Sequence, residues 1–219
     1  MIKNWWIGIV FIWGITTNLV TTSCEKEASS IQRDTLEVAR IYQCDPALGK
    51  EAIVQSIMPN TNFGDSTVFS IFSWTNDGLF NISRALIAFD LSAIPPETMI
   101  KKATLSLYWI EYMNLNSQTG DNAFSIMKIS EDWNEHTVTW NNQPDATSLY
   151  KISVPKSIAQ NQSYTDIDLT DMVQDMILNP SLNFGFMLKL EEEFPYKLVV
   201  LASSDYSEKS KRPKLLVYF

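Results

Sequence analysis

The stretch Ala103-Thr104-Leu105-Ser106-Leu107-Tyr108 alternates between apolar and polar side chains from its first residue onward. Successive side chains of a β-strand point to opposite faces, so this period of two predicts a strand with one buried face. The same period recurs at Phe186-Met187-Leu188-Lys189-Leu190 and at the C-terminus, Leu215-Leu216-Val217-Tyr218-Phe219. Turn-forming residues such as Asn76-Asp77-Gly78 separate these runs. Many short strands between such turns predict an all-β protein, built as an antiparallel β-sandwich or barrel.

One short helix is predicted among the strands, near residues 170–179. Thr170 is placed to cap its start, and Asp171 lies favourably at the positive end of the helix dipole. Asn179-Pro180 ends it. One apolar face is formed by Val173, Met176 and Ile177. The long crossover helices that a parallel α/β fold requires are not found in the sequence.

The composition is that of a folded and acidic protein. Of the 219 residues, 45% are hydrophobic and 19% are charged, which is too apolar a balance for a disordered chain. The formal net charge is −8 at pH 7, so nucleic-acid phosphates would be repelled by the average surface. Nucleic acid is therefore excluded as an expected partner.

Residues 1–23 are predicted to be a lipoprotein signal peptide. Lys3 precedes an apolar run from Trp5 to Val20 that is too interrupted for a transmembrane span but fits a secretory signal. Small residues and then Cys24 follow, as in bacterial lipoproteins, so Cys24 is the predicted lipidation site. The charged Glu25-Lys26-Glu27 resembles the export tag of Bacteroidota surface lipoproteins. The sequence therefore predicts a lipid anchor in the outer membrane, facing outward, and the alternative is an ordinary cleaved signal and secretion.

The remainder is predicted to comprise a tether over residues 24–33 and one domain over residues 34–219. Five groups of residues follow one another along this domain: Asn62-Phe63-Gly64; residues 85–95; residues 100–108; Trp133 to Pro144; and a C-terminal set of Asp168-Leu169-Thr170, Asn183-Phe184-Gly185-Phe186, Ser203-Ser204 and Arg212-Pro213-Lys214-Leu215. In this order they resemble the DNRLRE-type domain, which is grouped with carbohydrate-binding module family 96. This resemblance implies a jelly-roll β-sandwich that serves as a surface or accessory module, with polysaccharide binding in some members, and it does not imply catalysis.

Several of these motifs are interpreted as structural. Trp133 and Trp140 are expected to close one end of a hydrophobic core, with each indole N–H bonded to an acceptor such as Glu135 or Asn142. Asp90 or Ser92 is expected to accept hydrogen bonds from the amides of a turn after a strand.

The sequence offers little that would support catalysis. His136 is the single histidine, so imidazoles cannot cluster around zinc, and no Gly-x-Ser-x-Gly motif is present. The 25 acidic residues leave many carboxylate pairs open, but no motif selects one for glycoside cleavage. We expect no intrinsic enzyme activity, and a polysaccharide hydrolase or lyase stays the less favoured alternative. A structural calcium ion is a further hypothesis, because carboxylates on loops suit it, with Asp121, Asp166 and Asp168 as candidates by residue type alone.

Sugar binding requires exposed aromatic rings beside polar groups that bond to hydroxyls. Trp74, Trp109 and Tyr112 are the rings expected to be exposed, with Asn114 and Asn116 as polar neighbours. Lys211 and Arg212 belong to a basic run that could hold an acidic glycan. The sequence thus predicts a non-catalytic module that binds a polysaccharide, with a neutral glycan favoured over an acidic one. The alternative is a structural or adhesive surface protein that makes protein contacts.

Overall fold

Strands dominate the computed structural model, which describes residues 38–43, 49–112 and 118–219. Within these ranges there are eleven strands and one α-helix. The strands are Ala39–Gln43 (β1), Gly49–Gln55 (β2), Val68–Asn76 (β3), Leu79–Phe89 (β4), Lys102–Leu107 (β5), Phe124–Ile129 (β6), Ala146–Val154 (β7), Tyr164–Asp168 (β8), Phe186–Leu190 (β9), Lys197–Ala202 (β10) and Lys214–Tyr218 (β11). The helix is Thr170–Leu178 (α1), and short 3-10 turns occupy Trp140–Asn142, Pro180–Leu182 and Lys209–Lys211.

The strands form two antiparallel sheets. One sheet has the order β1-β11-β5-β8, and the other runs β10-β3-β4-β9-β6-β7, with β2 paired to β4. The long strand β4 therefore pairs with three others, namely β2, β3 and β9. This curled sandwich with one short helix confirms the predicted fold class.

The main core lies where alternate side chains of the strands meet. Ala103, Leu105 and Leu107, the apolar side of the stretch that predicted β5, are fully buried in it. Leu215 and Val217 of β11 join them, as their alternation predicted. Each Leu or Val side chain buried in this way stabilises the fold by about 1.5–3 kcal/mol, because it removes most of its apolar surface from water.

A second core lies on the other side of β4. Leu86 and Ala88 alternate with the main-core residues Ala85 and Ile87, and they pack in a separate cluster with Trp133. Both faces of the C-terminal half of β4 are thus buried, which explains the continuous apolar run from Ala85 to Phe89.

The helix α1 lies close to its predicted position. Its buried face consists of Met172, Val173, Met176 and Ile177, which pack into the main core. The prediction that Thr170 caps it is wrong, because Leu169 is the N-cap residue and makes no capping bond with its side chain. The Thr170 hydroxyl instead donates to Asp168 and accepts from the Ala103 amide, so it joins the helix start to β8 and β5.

The predicted signal peptide, Cys24 and the tether lie outside the described residues. Across the described ranges, no helix is long and apolar enough to cross a membrane.

Candidate functional site

A groove of about 540 Å³ lies beside the β3–β4 hairpin. Its walls come from two elements, the hairpin and the start of β10, together with Thr119, which pairs with Leu198. The lining residues are Phe72, Trp74, Thr75, Asn76, Asn81, Thr119 and Leu198. Aromatic and amide side chains are mixed here, as a sugar-binding surface requires.

The hairpin turn determines where the groove's residues lie. Asp77 and Gly78 have φ values of +50° and +81°, the left-handed conformation that Asp and Gly adopt in two-residue hairpin turns. This turn fixes the strand register, so that Trp74 lies opposite Asn81. The predicted turn signal Asn76-Asp77-Gly78 is therefore what places an indole ring and a carboxamide side by side.

Trp74 is the exposed ring of this groove, as the sequence predicted. Its side chain retains 39% exposure although it lies within a sheet. Tyr196 stands edge-on to it, with ring centroids 5.2 Å apart and planes at 88°. The hydroxyl of Tyr196 also lies 3.3 Å from the Thr75 hydroxyl, within hydrogen-bonding distance. The two rings thus form a right-angled corner that opens to solvent.

Asn81 supplies an unusual polar group in the groove. Its Oδ1 atom is buried and has no hydrogen-bond partner among the described residues. A buried acceptor without a donor is costly, typically by about 1–3 kcal/mol. The Asn81 side chain lines the groove opposite Trp74 in the strand register.

The other predicted aromatic residues lie farther along β10. Trp109 pairs with Leu201 through a backbone bridge, and its amide donates to Ser163. Tyr112 is 38% exposed, but neither ring lines the groove beside Trp74. Asn114 and Asn116 lie outside the described residues.

The predicted basic residues are separate from the groove. Lys211 and Arg212 follow the C-terminal end of β10, whereas Trp74 and Tyr196 lie beside its first residues. Lys211 pairs with Glu208 at 3.4 Å, and Arg212 donates to the carbonyl of Tyr206. The fold does not bring them together with the aromatic corner.

The three calcium candidates have separate local environments. Asp121 is 3.3 Å from the Lys156 ammonium group, and Asp168 accepts the amide and hydroxyl of Thr170, which lowers its pKa. Asp166 is exposed on β8 and has a positive φ of 57°. In the part of the chain that the structure describes, no three His, Cys, Asp or Glu side chains group together as metal ligands.

The segment from Trp133 to Trp140, here called the Trp loop, covers the outer face of the larger sheet. Trp133 is 6% exposed, and Trp140 packs against the same cluster. The Trp133 indole N–H donates to the Phe184 carbonyl at 2.8 Å, so the expectation that Glu135 or Asn142 accepts it is wrong for Trp133. Asn142, just after the loop, accepts from the Thr139 amide.

The motif Asn62-Phe63-Gly64 clamps the Trp loop. Asn62 donates to the carbonyls of Glu135 and Val138 at 2.7 Å each, and a Cβ at Gly64 would collide with the Glu135 carbonyl. The expected turn bond at Asp90 is also present, since Asp90 accepts the Ser92 amide at 2.9 Å. These motifs thus hold the fold and do not line the groove.

One carboxylate pair lies beneath the Trp loop. Glu135 accepts the Glu51 backbone amide at 2.7 Å, and the Glu51 carboxylate accepts the Ser204 amide at 3.1 Å. Burial raises the pKa of Glu51 well above its usual range, and the Asp205 and Glu135 carboxylates raise it further, against the Ser204 amide. Burial likewise raises the pKa of Glu135. Glu51 is only 3% exposed, so a sugar could not contact it without opening the fold.

The sequence prediction missed several residues of the site. Asn81 lies across the same hairpin turn from Trp74, and its register follows from the turn signal, so this signal could have found it. Tyr196 meets Trp74 only through the pairing of β10 with β3, in which Lys197 lies opposite Ser73. No local pattern reveals that pairing.

The described part of the chain is thus an antiparallel sandwich that carries an open groove of aromatic and amide side chains. The model of carbohydrate-binding module family 96 matches residues 46–218, and the chain belongs to this family. No curated protein matches the chain significantly.

Proposed function

We propose that this chain is a non-catalytic polysaccharide-binding module of a lipid-anchored surface protein, and that its glycan lies in the groove beside Trp74. One observation supports the location above all: within a carbohydrate-binding family, an indole ring stays 39% exposed on the wall of a groove. The C–H face of a pyranose ring packs on such an aromatic surface. Asn76, Asn81 and Thr119 lie around it to exchange hydrogen bonds with sugar hydroxyls.

The charge around the groove supports a neutral glycan. None of its lining residues is charged. The nearest cations of β10 and β4 are paired, Lys197 with Glu192 at 3.2 Å and Arg84 with Glu193 at 2.7 Å. A polyanion would therefore find no unpaired cation here, and it would meet a chain of net charge −8.

The first experiment is affinity gel electrophoresis of residues 34–219 through neutral polysaccharides (β-glucan, xyloglucan, galactomannan, starch) and acidic ones (alginate, polygalacturonate). Each gel is run with calcium and with EDTA. We expect retardation by a neutral polysaccharide, and we expect Trp74→Ala to abolish it. Retardation only with calcium would support the calcium hypothesis.

Tyr150→Ala is the matched control, because Tyr150 is also 39% exposed but lies on β7, away from the groove. Loss of binding in both variants, or in neither, would show that the site is not the Trp74 groove. If no polysaccharide retards the protein, the alternative function is favoured. Exposed Leu79, Phe80 and Phe194 would then form a protein-contact surface. Shortening of the glycan on incubation would instead reveal a hydrolase or lyase.

The anchor is tested separately in the whole chain. We expect the wild-type protein to fractionate with membranes after expression in a bacterium that acylates lipoproteins. We expect Cys24→Ala to be recovered in the soluble fraction, because two buried acyl chains hold a protein far more firmly than adsorption does. A Cys24→Ala protein that stays with membranes would contradict the lipid anchor.

A further inference from the structure

Tyr196 adopts a backbone conformation that tyrosine rarely takes. Its φ is +68°, in the left-handed region where a side chain with a Cβ is strained. Gly120, whose own φ is +73°, lies directly against it, since a Cβ at Gly120 would collide with the Tyr196 carbonyl oxygen. The backbone at Tyr196 is thus held in place by a close approach that only glycine permits.

The packing of the ring does not account for this strain. Tyr196 is 58% exposed, and the described contacts of its side chain are the ring of Trp74 and the Thr75 hydroxyl, both of residues that line the groove. Glycine or asparagine adopts a positive φ more easily than tyrosine does. Tyr150 also has a positive φ, of 61°, but it lies on β7, whereas the ring of Tyr196 meets the indole of Trp74.

We infer that Tyr196, whose ring stands beside the groove and perpendicular to Trp74, is a glycan-contacting residue. This inference rests on the proposed function. A sugar ring that stacks on the indole would meet the tyrosine ring along its own edge. The phenol hydroxyl, which the Thr75 hydroxyl orients, is within reach of a sugar hydroxyl there. The strained backbone fixes the tyrosine ring at this angle before the glycan arrives.

Three substitutions distinguish the contribution of the Tyr196 ring to binding from the effect of its backbone strain on stability. Tyr196→Ala removes the ring and keeps a residue that is strained at positive φ, whereas Tyr196→Asn removes the ring and relieves much of the strain. Tyr196→Phe keeps the ring and removes only the hydroxyl. We expect both ring-deleted variants to lose about tenfold or more in affinity for the retarding polysaccharide, as is typical of an aromatic anchor. We expect Tyr196→Asn to melt roughly 2–4 °C above Tyr196→Ala, and Tyr196→Phe to bind more tightly than either.

The measurements are affinity gels in the polysaccharide that retards the wild type, thermal unfolding, and near-ultraviolet circular dichroism to confirm the native fold. If Tyr196→Ala does not fold, Tyr196→Asn and Tyr196→Phe still test the binding role. Wild-type binding by Tyr196→Asn, with binding lost in Trp74→Ala, would overturn this inference and leave the proposed function standing. If Tyr196→Asn and Trp74→Ala both bind the polysaccharide as tightly as the wild type does, the groove is not the binding site. Equal melting temperatures of the Asn and Ala variants would overturn the strain argument.

Discussion

At the scale of single residues, buried carboxylates determine how the stability of this protein depends on pH. The folded state favours protonated Glu51, because burial raises its pKa above the ordinary 4.5. The folded protein therefore binds more protons than the unfolded chain between that ordinary pKa and the raised one. The contribution of Glu51 to stability is largest below this window and falls as the pH rises through it.

We expect Glu51→Gln to remove the loss of stability that ionisation of Glu51 causes as the pH rises. The neutral amide keeps the size of the side chain and an acceptor for Ser204, so the unfolding free energy at neutral pH should rise, because no buried carboxylate has to ionise there. Urea unfolding at pH values from about 4.5 to about 8 measures it. Glu97→Gln, at an exposed position, is the control. A Glu51→Gln protein whose stability declines with pH as steeply as the wild type does would contradict the prediction.

Gly64 offers a second test at this scale. A Cβ there meets the backbone of Glu135, so Gly64→Ala should lower the unfolding free energy by about 3 kcal/mol through overpacking. It should also alter the near-ultraviolet circular dichroism, since the Trp loop must move. Gly78→Ala is the matched control, because nothing lies within 4 Å of its added Cβ and only its φ of +81° opposes the change. Gly78→Ala should lower the unfolding free energy by about 1 kcal/mol. Equal effects of the two changes would show that the Trp loop is not clamped at Gly64.

At the scale of elements, Arg84 connects three parts of the larger sheet. From β4 it makes two bonds to Glu193, at 2.7 and 2.8 Å, and a third to Gln143 at 3.1 Å. Its guanidinium also lies 4.8 Å from the ring centre of Trp140. Arg84 therefore joins the Trp loop to the β9–β10 connection that bears Tyr196.

We expect a double-mutant cycle with Arg84→Met and Glu193→Gln to give a coupling energy of about 1–3 kcal/mol. The pair is bidentate, and each side chain is only 22% exposed, so solvent screens it weakly. The comparison pair is Lys156 and Asp121, at 3.3 Å with side chains 60% and 64% exposed, where the coupling should be below about 1 kcal/mol. Chemical denaturation of each variant gives both values. Coupling at Arg84–Glu193 that does not exceed that of the exposed pair would refute this role.

At the scale of the whole molecule, charge predicts how binding responds to salt. If the glycan is neutral, its affinity should change by less than about twofold between roughly 0.05 and 0.5 M NaCl, because no ion pair forms to be screened. Isothermal titration or affinity gels at several salt concentrations measure this. A steep loss of affinity with salt would indicate an acidic glycan, and Lys211 and Arg212 would then be the candidate binding residues.

The sequence alone determined the all-β sandwich, the position of the helix, the structural use of the Trp loop and the exposure of Trp74. Each of these follows from local information, namely the period of two, the Asn179-Pro180 stop and the Asn76-Asp77-Gly78 turn. The predicted N-cap at Thr170 was wrong because the Thr170 hydroxyl accepts a hydrogen bond from the Ala103 amide of β5, which is distant in sequence.

The contact between Tyr196 and Trp74 was decided only by tertiary structure. Tyr196 reaches Trp74 because β10 pairs with β3, and Gly120 supports it because Thr119 pairs with Leu198. The partners of the indole and carboxylate groups likewise came from chain segments far apart, as in the bond from Trp133 to Phe184. Local patterns report which face of a strand is buried. The choice of neighbouring strand depends on how the whole chain closes its core, and that choice assembled this site.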